Sequence, residues 1–349
     1  MENRSTALPS ETGNASAPSA EKLLQLAMGF WGSKALLSAV ELDLFTVLGR
    51  GPRNATQLME ELRLHPRSTL DFLDALVALG VLDRDDGFYR NTAETGAFLD
   101  KAKPGFMGGL LVMANNRLYP FWGSLTEALR TGQPQNEAKQ GGNPFDAIYR
   151  DEPVLREFLG AMSGVSLGAA KAIAQKFPWQ NYRSFVDVGA AQGALVAEIA
   201  RTHEHLEGIG FDLPVVGPVF NDYIAANGLK DRIHFHPGDF FNDALPSADV
   251  LVMGHILHDW NLEQKRELLA KSYEALPDGG CLIVYDAVID DERRRNAFGL
   301  LMSLNMLIET PGGFDYTASQ CREWMTEAGF REVRVEPLVG PDSMVIGVR

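Results

Sequence analysis

From residue 184 to the end, strand-like and helix-like stretches take turns. SFVDVG, GIGFDL, RIHFH, ADVLVMGH and CLIVYDA are short apolar runs, and helical stretches follow the first of them and return at about 261–275 and 317–328. Parallel strands can be joined only through a crossover, usually a helix, so this alternation predicts a mostly parallel sheet with helices on both faces. The last segment, VRVEPLVGPDSMVIGVR, reads as two strands about Gly340-Pro341, an antiparallel hairpin closing the sheet edge. Residues 179–349 are expected to be one α/β domain.

Upstream the chain changes character. Residues 22–49 repeat apolar side chains at three- and four-residue steps, from Leu23 and Leu24 to Phe45 and Leu48, until Gly51-Pro52. Short helices are expected at Gln57–Leu62 and Leu70–Leu79, followed by two strands around an Asp86-Gly87 turn. Three helices and a two-stranded wing make a winged-helix unit over 21–100. The helix that would enter DNA, RSTLDFLDALVALG, is apolar with Asp71 and Asp74 inside it, so packing or dimerisation is the expected use. Residues 101–178 read as a helical connector that walls a pocket: a polar loop over Gly132–Asn143, then one broken or paired helix over Phe145–Ile173.

Charge narrows the choice of partner. The chain has 46 acidic and 32 basic residues, a net charge of −14. Non-specific affinity for nucleic acid comes from Lys and Arg on phosphates, so no nucleic-acid partner is expected, and no anionic membrane surface. No apolar run reaches the roughly 18 residues of a membrane span. Residues 1–20 are rich in Ser, Thr, Ala and Pro without an apolar segment, so they read as a disordered tail rather than a secretory signal. Cys281 and Cys321 match no metal or redox spacing, which fits a reducing, cytoplasmic setting.

Five motifs carry chemistry. In Asp187-Val188-Gly189-Ala190-Ala191-Gln192-Gly193, small residues follow the first sheet strand, where backbone can approach a ligand at a helix start. It is a poor match to a dinucleotide fingerprint, and a tight turn without a ligand is the plain alternative. Asp212-Leu213 ends the second strand, where an acid can accept from ribose hydroxyls or merely cap a helix. Gly238-Asp239-Phe240 after the third strand can meet an adenine by hydrogen bond and stacking, or can be a structural turn. His255-Ile256-Leu257-His258-Asp259-Trp260 leaves the fourth strand at its carboxyl end, the edge where open α/β sheets bind ligands. His258 can take a proton near neutral pH. His255 and His258 could also begin a metal site, but no completing motif follows, so no metal is expected. Asp286 and Asp315 are the acids that can hold the second N–H of the imidazole.

Taken together and in this order, these motifs resemble the dimeric small-molecule O-methyltransferases of the plant caffeic-acid and acetylserotonin type, over residues 22 to 349. The resemblance implies a Rossmann-like, doubly wound sheet with an amino-terminal winged-helix dimerisation domain. It implies S-adenosylmethionine as methyl donor, a homodimer, and a small-molecule acceptor methylated on a phenolic or enolic hydroxyl. Asp187, Gly189, Gly193, Asp212, Leu213, Gly238, Asp239, Phe240, Gly254 and Trp260 would line the cofactor site. Met113, Met162, His255, Met302, Met306 and Thr310 would face the acceptor. His258 would be the base, flanked by Asp286 and Asp315. Carbon or nitrogen methylation on the same scaffold, metal-assisted or not, is the alternative. Three departures stand out: Ala190 and Ala191 replace glycines, Gly254 stands where many plant members carry Lys, and the flanking acids are Asp rather than the longer Glu.

Overall fold

The structure, a computed structural model, describes residues 18–103, 105–140 and 149–349. Most of the tail expected over 1–20 lies outside these residues, as do the end of the loop over 132–143 and the start of the helix expected from Phe145.

The amino-terminal unit is a cluster of helices against a small sheet. The apolar run 22–49 forms two helices, Glu21–Glu41 and Leu44–Gly49, where a single pattern was read. They part at Asp43, whose φ of 58° lies in the left-handed region. The expected two-stranded wing has a third member. Strand β1 (Arg53–Asn54) pairs with β3 (Phe88–Asn91), which also pairs with β2 (Leu82–Asp85). Two residues are too few for any periodicity to betray them. The next helix, Ala55–Glu61, is capped by a reciprocal Asn54–Gln57 pair. The helix expected from Leu70 begins earlier, at Pro66, because the His65 side chain caps it. Leu44, Phe45, Leu73, Leu76 and Tyr89 form the core of this unit.

Outside that core, the first helix leaves Leu23, Leu26 and Trp31 exposed at 70%, 81% and 65%. Contrary to expectation, this helix is long and apolar enough to cross a membrane by length and composition. An exposed apolar patch of this kind marks an interface.

The carboxyl-terminal unit is a seven-stranded sheet in the order β6-β5-β4-β7-β8-β10-β9. β4 (Ser184–Val188), β5 (Glu207–Asp212), β6 (Ile233–Pro237), β7 (Val250–Gly254) and β8 (Cys281–Asp286) run parallel. β9 (Arg331–Pro337) and β10 (Ser343–Val348) form the expected hairpin, with β10 inserted antiparallel beside β8 and β9 at the edge. One face is covered by helices Glu152–Lys176, Ala194–Thr202 and Gly217–Ala226, packed through Ile173, Val196 and Phe220. Glu152–Lys176 is one unbroken helix. The other face is covered by Leu262–Ala275 and Ala318–Glu327, packed through Leu268, Leu269, Trp324 and Met325.

From β4 the chain steps outward to β5 and β6, then returns to lay β7 and β8 on the other side of β4. The strand order therefore reverses between β4 and β7. Loops leaving those two strands diverge, which opens a crevice at their carboxyl ends.

Candidate active site

A cavity of about 520 Å³ occupies that crevice. Its floor is made by strand ends and its roof by helices Gly108–Met113, Glu152–Lys176 and Ala297–Glu309.

At the β4 end the backbone does the shaping. Gly189 has φ 78° and Ala191 has φ 49°. A Cβ on Gly189 would run into Ile256, and the positive φ adds strain for any other residue, so the turn favours glycine. Gly193, expected beside the cofactor, is not among the lining residues; it opens helix Ala194–Thr202 and is backed by Phe220. Asp187 and Asp212 line the cavity and are both buried. Asp212 accepts from the backbone N–H of Ala191 (2.8 Å) and of Leu213 (2.7 Å). Each carboxylate oxygen keeps a further lone pair for a ligand hydroxyl. Burial pushes Asp212 up to about 6, although the two N–H bonds oppose it. Burial and then the charge of Asp212 push Asp187 up to about 8. Two buried acids that resist ionisation are suited to a cationic ligand.

Leu213, Gly238, Asp239, Phe240, Gly254 and Trp260 complete this half. Phe240 and Phe241 meet the Trp260 ring edge-on, at 5.7 and 4.7 Å between centroids. Gly254 stands where the resemblance would place a Lys side chain. A Cβ there would collide with the ring of Tyr285, its neighbour on β8, so the space is filled by an aromatic ring.

His258 stands at the end of β7 in a short helical turn, Leu257–Asp259, and is 6% exposed. Its Nδ1 lies 3.2 Å from Asp315 Oδ1 and 3.8 Å from Asp286 Oδ1. A carboxylate can only accept, so Nδ1–H donates to Asp315 and Nε2 becomes the proton-accepting nitrogen. The shorter Asp side chains do reach: Asp315 by hydrogen bond, Asp286 as a close charge. Neither lines the cavity; both stand behind the ring. Asp259, in the same motif, lies 3.6 Å from Nε2.

Burial pushes the imidazole down, but Asp286, Asp259 and Asp315 outweigh it and lift His258 up to about 10. Those carboxylates favour the protonated ring until something offsets them. Burial likewise raises Asp259 to about 6 and Asp315 above the usual range, both opposed by His258. Burial raises Asp286 too, yet His258, His255 and Tyr316 bring it below the usual carboxylate range.

Beneath the loop sits Lys265, fully buried. Its ammonium donates to the Trp260 carbonyl and lies 3.7 Å from the centre of the Phe314 ring. It ties the loop carrying His258 to the one carrying Asp315. Burial pushes it down to about 8, against the pull of Asp286, Asp259 and Asp315.

His255 has a left-handed backbone, φ 53°, and its Nδ1 lies 3.6 Å from Asp286 Oδ1. His255, His258 and Asp286 together form a group able to hold a metal ion, which motif spacing alone did not reveal. Met113, Met162, Met302, Met306 and Thr310 all line the roof side of the cavity. Sequence reasoning missed Arg117, Tyr149, Phe158, Asn305 and Glu309, which line it as well.

The expected cofactor fits this chain: a glycine turn in which a Cβ would meet Ile256, and two buried acids, Asp187 and Asp212, in the cavity wall that favour a positively charged ligand. Residues 122–331 match the O-methyltransferase domain, and residues 24–101 match the O-methyltransferase dimerisation domain. The chain is 47% identical over 326 residues to the tetracenomycin polyketide synthesis 8-O-methyl transferase TcmO of Streptomyces glaucescens, covering 93% of this chain and 95% of that protein. It is 38% identical over 335 residues to the N,N-dimethyltransferase OxyT of Streptomyces rimosus, covering 95% and 96%. The structure of human N-acetylserotonin methyltransferase in complex with S-adenosylmethionine superposes with a TM-score of 0.87 at 28% identity, covering 97% of this chain and 99% of that one. The dimerisation match supports a homodimer and gives a use to the exposed first helix. The chain thus belongs to the S-adenosylmethionine-dependent O-methyltransferase family, with its dimerisation domain at the amino terminus.

Proposed function

We propose that this protein methylates a phenolic hydroxyl of a flat, largely apolar, multi-ring acceptor, with His258 as general base. The observation that carries this reading is the buried His258–Asp315 pair, with Nε2 left as the proton-accepting atom in a cavity roofed by methionines and Phe158. The relative named for 8-O-methylation in polyketide synthesis favours a polyketide acceptor.

Bound S-adenosylmethionine supplies a methyl group already activated on a sulfonium. Asp212 and Leu213 would hold the ribose, Asp239 and Phe240 the adenine, and Trp260 would pack beside it. Asp187 would face the positively charged part. The protein's own work is to orient the acceptor and manage one proton. Holding the reacting atoms in line supplies several kcal/mol. His258 Nε2 takes the hydroxyl proton as the oxygen attacks, worth about 10²–10⁴-fold. Asp315 and Asp286 then stabilise the imidazolium. A positive charge held in the same cleft by Asp187 would oppose the pull of the carboxylates on His258 and so favour its neutral, proton-accepting form.

A second reading is nitrogen methylation assisted by a metal at His255, His258 and Asp286. The N,N-dimethyltransferase relative and that cluster favour it. The test is S-adenosylhomocysteine release with a panel of naphthols and arylamines, with and without a chelator. Turnover of naphthols that survives chelation is expected. Turnover of amines alone, abolished by chelator, would establish the second reading instead.

A further inference from the structure

Arg117 and Glu309 are 192 residues apart in sequence and meet on the wall of the cavity. The Arg117 guanidinium is bidentate to Glu137, Nε to Oε1 at 3.1 Å and Nη2 to Oε2 at 2.8 Å. Nη2 also donates to Glu309 Oε2 at 3.1 Å. Asn136 Nδ2 reaches the same oxygen at 3.3 Å. Glu309 Oε1 is buried and has no hydrogen-bond partner among the described residues. Burial pushes the Glu309 carboxyl up, against Arg117.

Arg117 belongs to a π-helical stretch, Ala114–Leu118. Such widened turns recur at functional sites. Here the stretch sends Asn115 toward Lys34 and Glu41 in the amino-terminal unit, and Arg117 toward the cavity.

Two consequences follow from the charges. The fork of Arg117 is spent on carboxylates through Nε and Nη2, which leaves the N–H groups of Nη1 without a hydrogen bond among the described residues. One guanidinium against two carboxylates gives the cluster a net charge of −1 when all are ionised. Such a wall offers a donor to a neutral oxygen and repels an anion.

We propose that Arg117 and Glu309 form an acceptor-selecting subsite: Arg117 Nη1 takes a carbonyl oxygen of a neutral phenolic ketone, while Glu309 disfavours acceptors bearing a carboxylate. The subsite rests on the proposed methylation of a phenol and narrows its acceptor. It acts on selectivity and leaves proton transfer to His258.

Matched phenols test it in the full-length enzyme with S-adenosylmethionine. 7-Hydroxy-1-tetralone and 5,6,7,8-tetrahydro-2-naphthol differ by the carbonyl; 6-hydroxy-2-naphthoate and 2-naphthol differ by the carboxylate. The wild type is expected to favour the ketone over its deoxo partner in kcat/KM on the order of tenfold. Arg117→Lys keeps the charge but loses the fork, and should bring that ratio near one. Glu309→Gln should raise the naphthoate relative to 2-naphthol several-fold. An unchanged ketone preference in Arg117→Lys, or unchanged rejection of the carboxylate in Glu309→Gln, overturns the subsite. Turnover of none of the four phenols by the wild type overturns the phenol reading itself and the subsite with it. Loss of the folded state in both variants, read by circular dichroism, makes the cluster structural and likewise overturns the proposal.

Discussion

The two halves of the cavity are built differently. The half at β4 and β5 is shaped by backbone: a glycine turn at Gly189, N–H groups on Asp212, and loops leaving neighbouring strands. The roof is shaped by side chains from helices far apart in the chain, such as Met113, Met162 and Met306. A backbone-built site tolerates few substitutions and serves one ligand. A side-chain-built wall can be recut position by position without disturbing the half that backbone shapes. The His258 loop lies at the seam.

The sharpest way to break this division is at the seam. His258→Ala is expected to lower turnover about 10²–10⁴-fold while S-adenosylmethionine affinity, read by calorimetry, stays nearly unchanged. Unaltered turnover would remove the imidazole from the chemistry. Next in size, Asp212→Ala should weaken S-adenosylmethionine binding about 10- to 100-fold, because a buried charge-assisted contact is lost. Normal binding in that variant would place the ribose elsewhere.

Asp315→Asn should cost about tenfold or more in kcat, and it should move the acidic limb of the kcat/KM profile to lower pH. The sign follows from the lifted His258: carboxylates favour the protonated ring, so removing one lets the ring lose its proton earlier. A limb that stays put would uncouple the pair. The smallest effect belongs to the cofactor half. Asp187 and Asp212 are lifted to about 8 and about 6, so the ligand-free pocket is partly protonated at pH 6. Affinity for the cationic donor should rise about tenfold from pH 6 to pH 8.5, with proton release detectable by calorimetry in buffers of different ionisation enthalpy. Raised folded-state values also mean that the stability tied to these acids is fully present below about 3.8 and is lost as pH rises through about 6 and about 8. The ligand-free protein should therefore melt lower at pH 8.5 than at pH 5.5.

The same division decides what could be read from sequence. The parallel strands announced themselves as apolar runs, and residues at strand ends fall at one edge of such a sheet, so Asp187, Asp212, Asp239 and His258 were visible as a set. What stayed hidden depends on distance along the chain. Nothing near Arg117 signals Glu309. Nothing near His255 and His258 signals that Asp286 completes a three-ligand group with them. Arg53–Asn54 was too short to show a strand period, and the break at Asp43 rests on one backbone angle in an otherwise helical pattern. The absence of a side chain at Gly254 was visible, but its filling by Tyr285 was not.

That filled space constrains how the protein can change. Adding a long cationic side chain at 254 requires the ring at 285 to shrink first, and shrinking the ring alone leaves a hole in the sheet. A lineage or a protein engineer moving toward the lysine-bearing plant arrangement must cross that valley in two steps or take both at once.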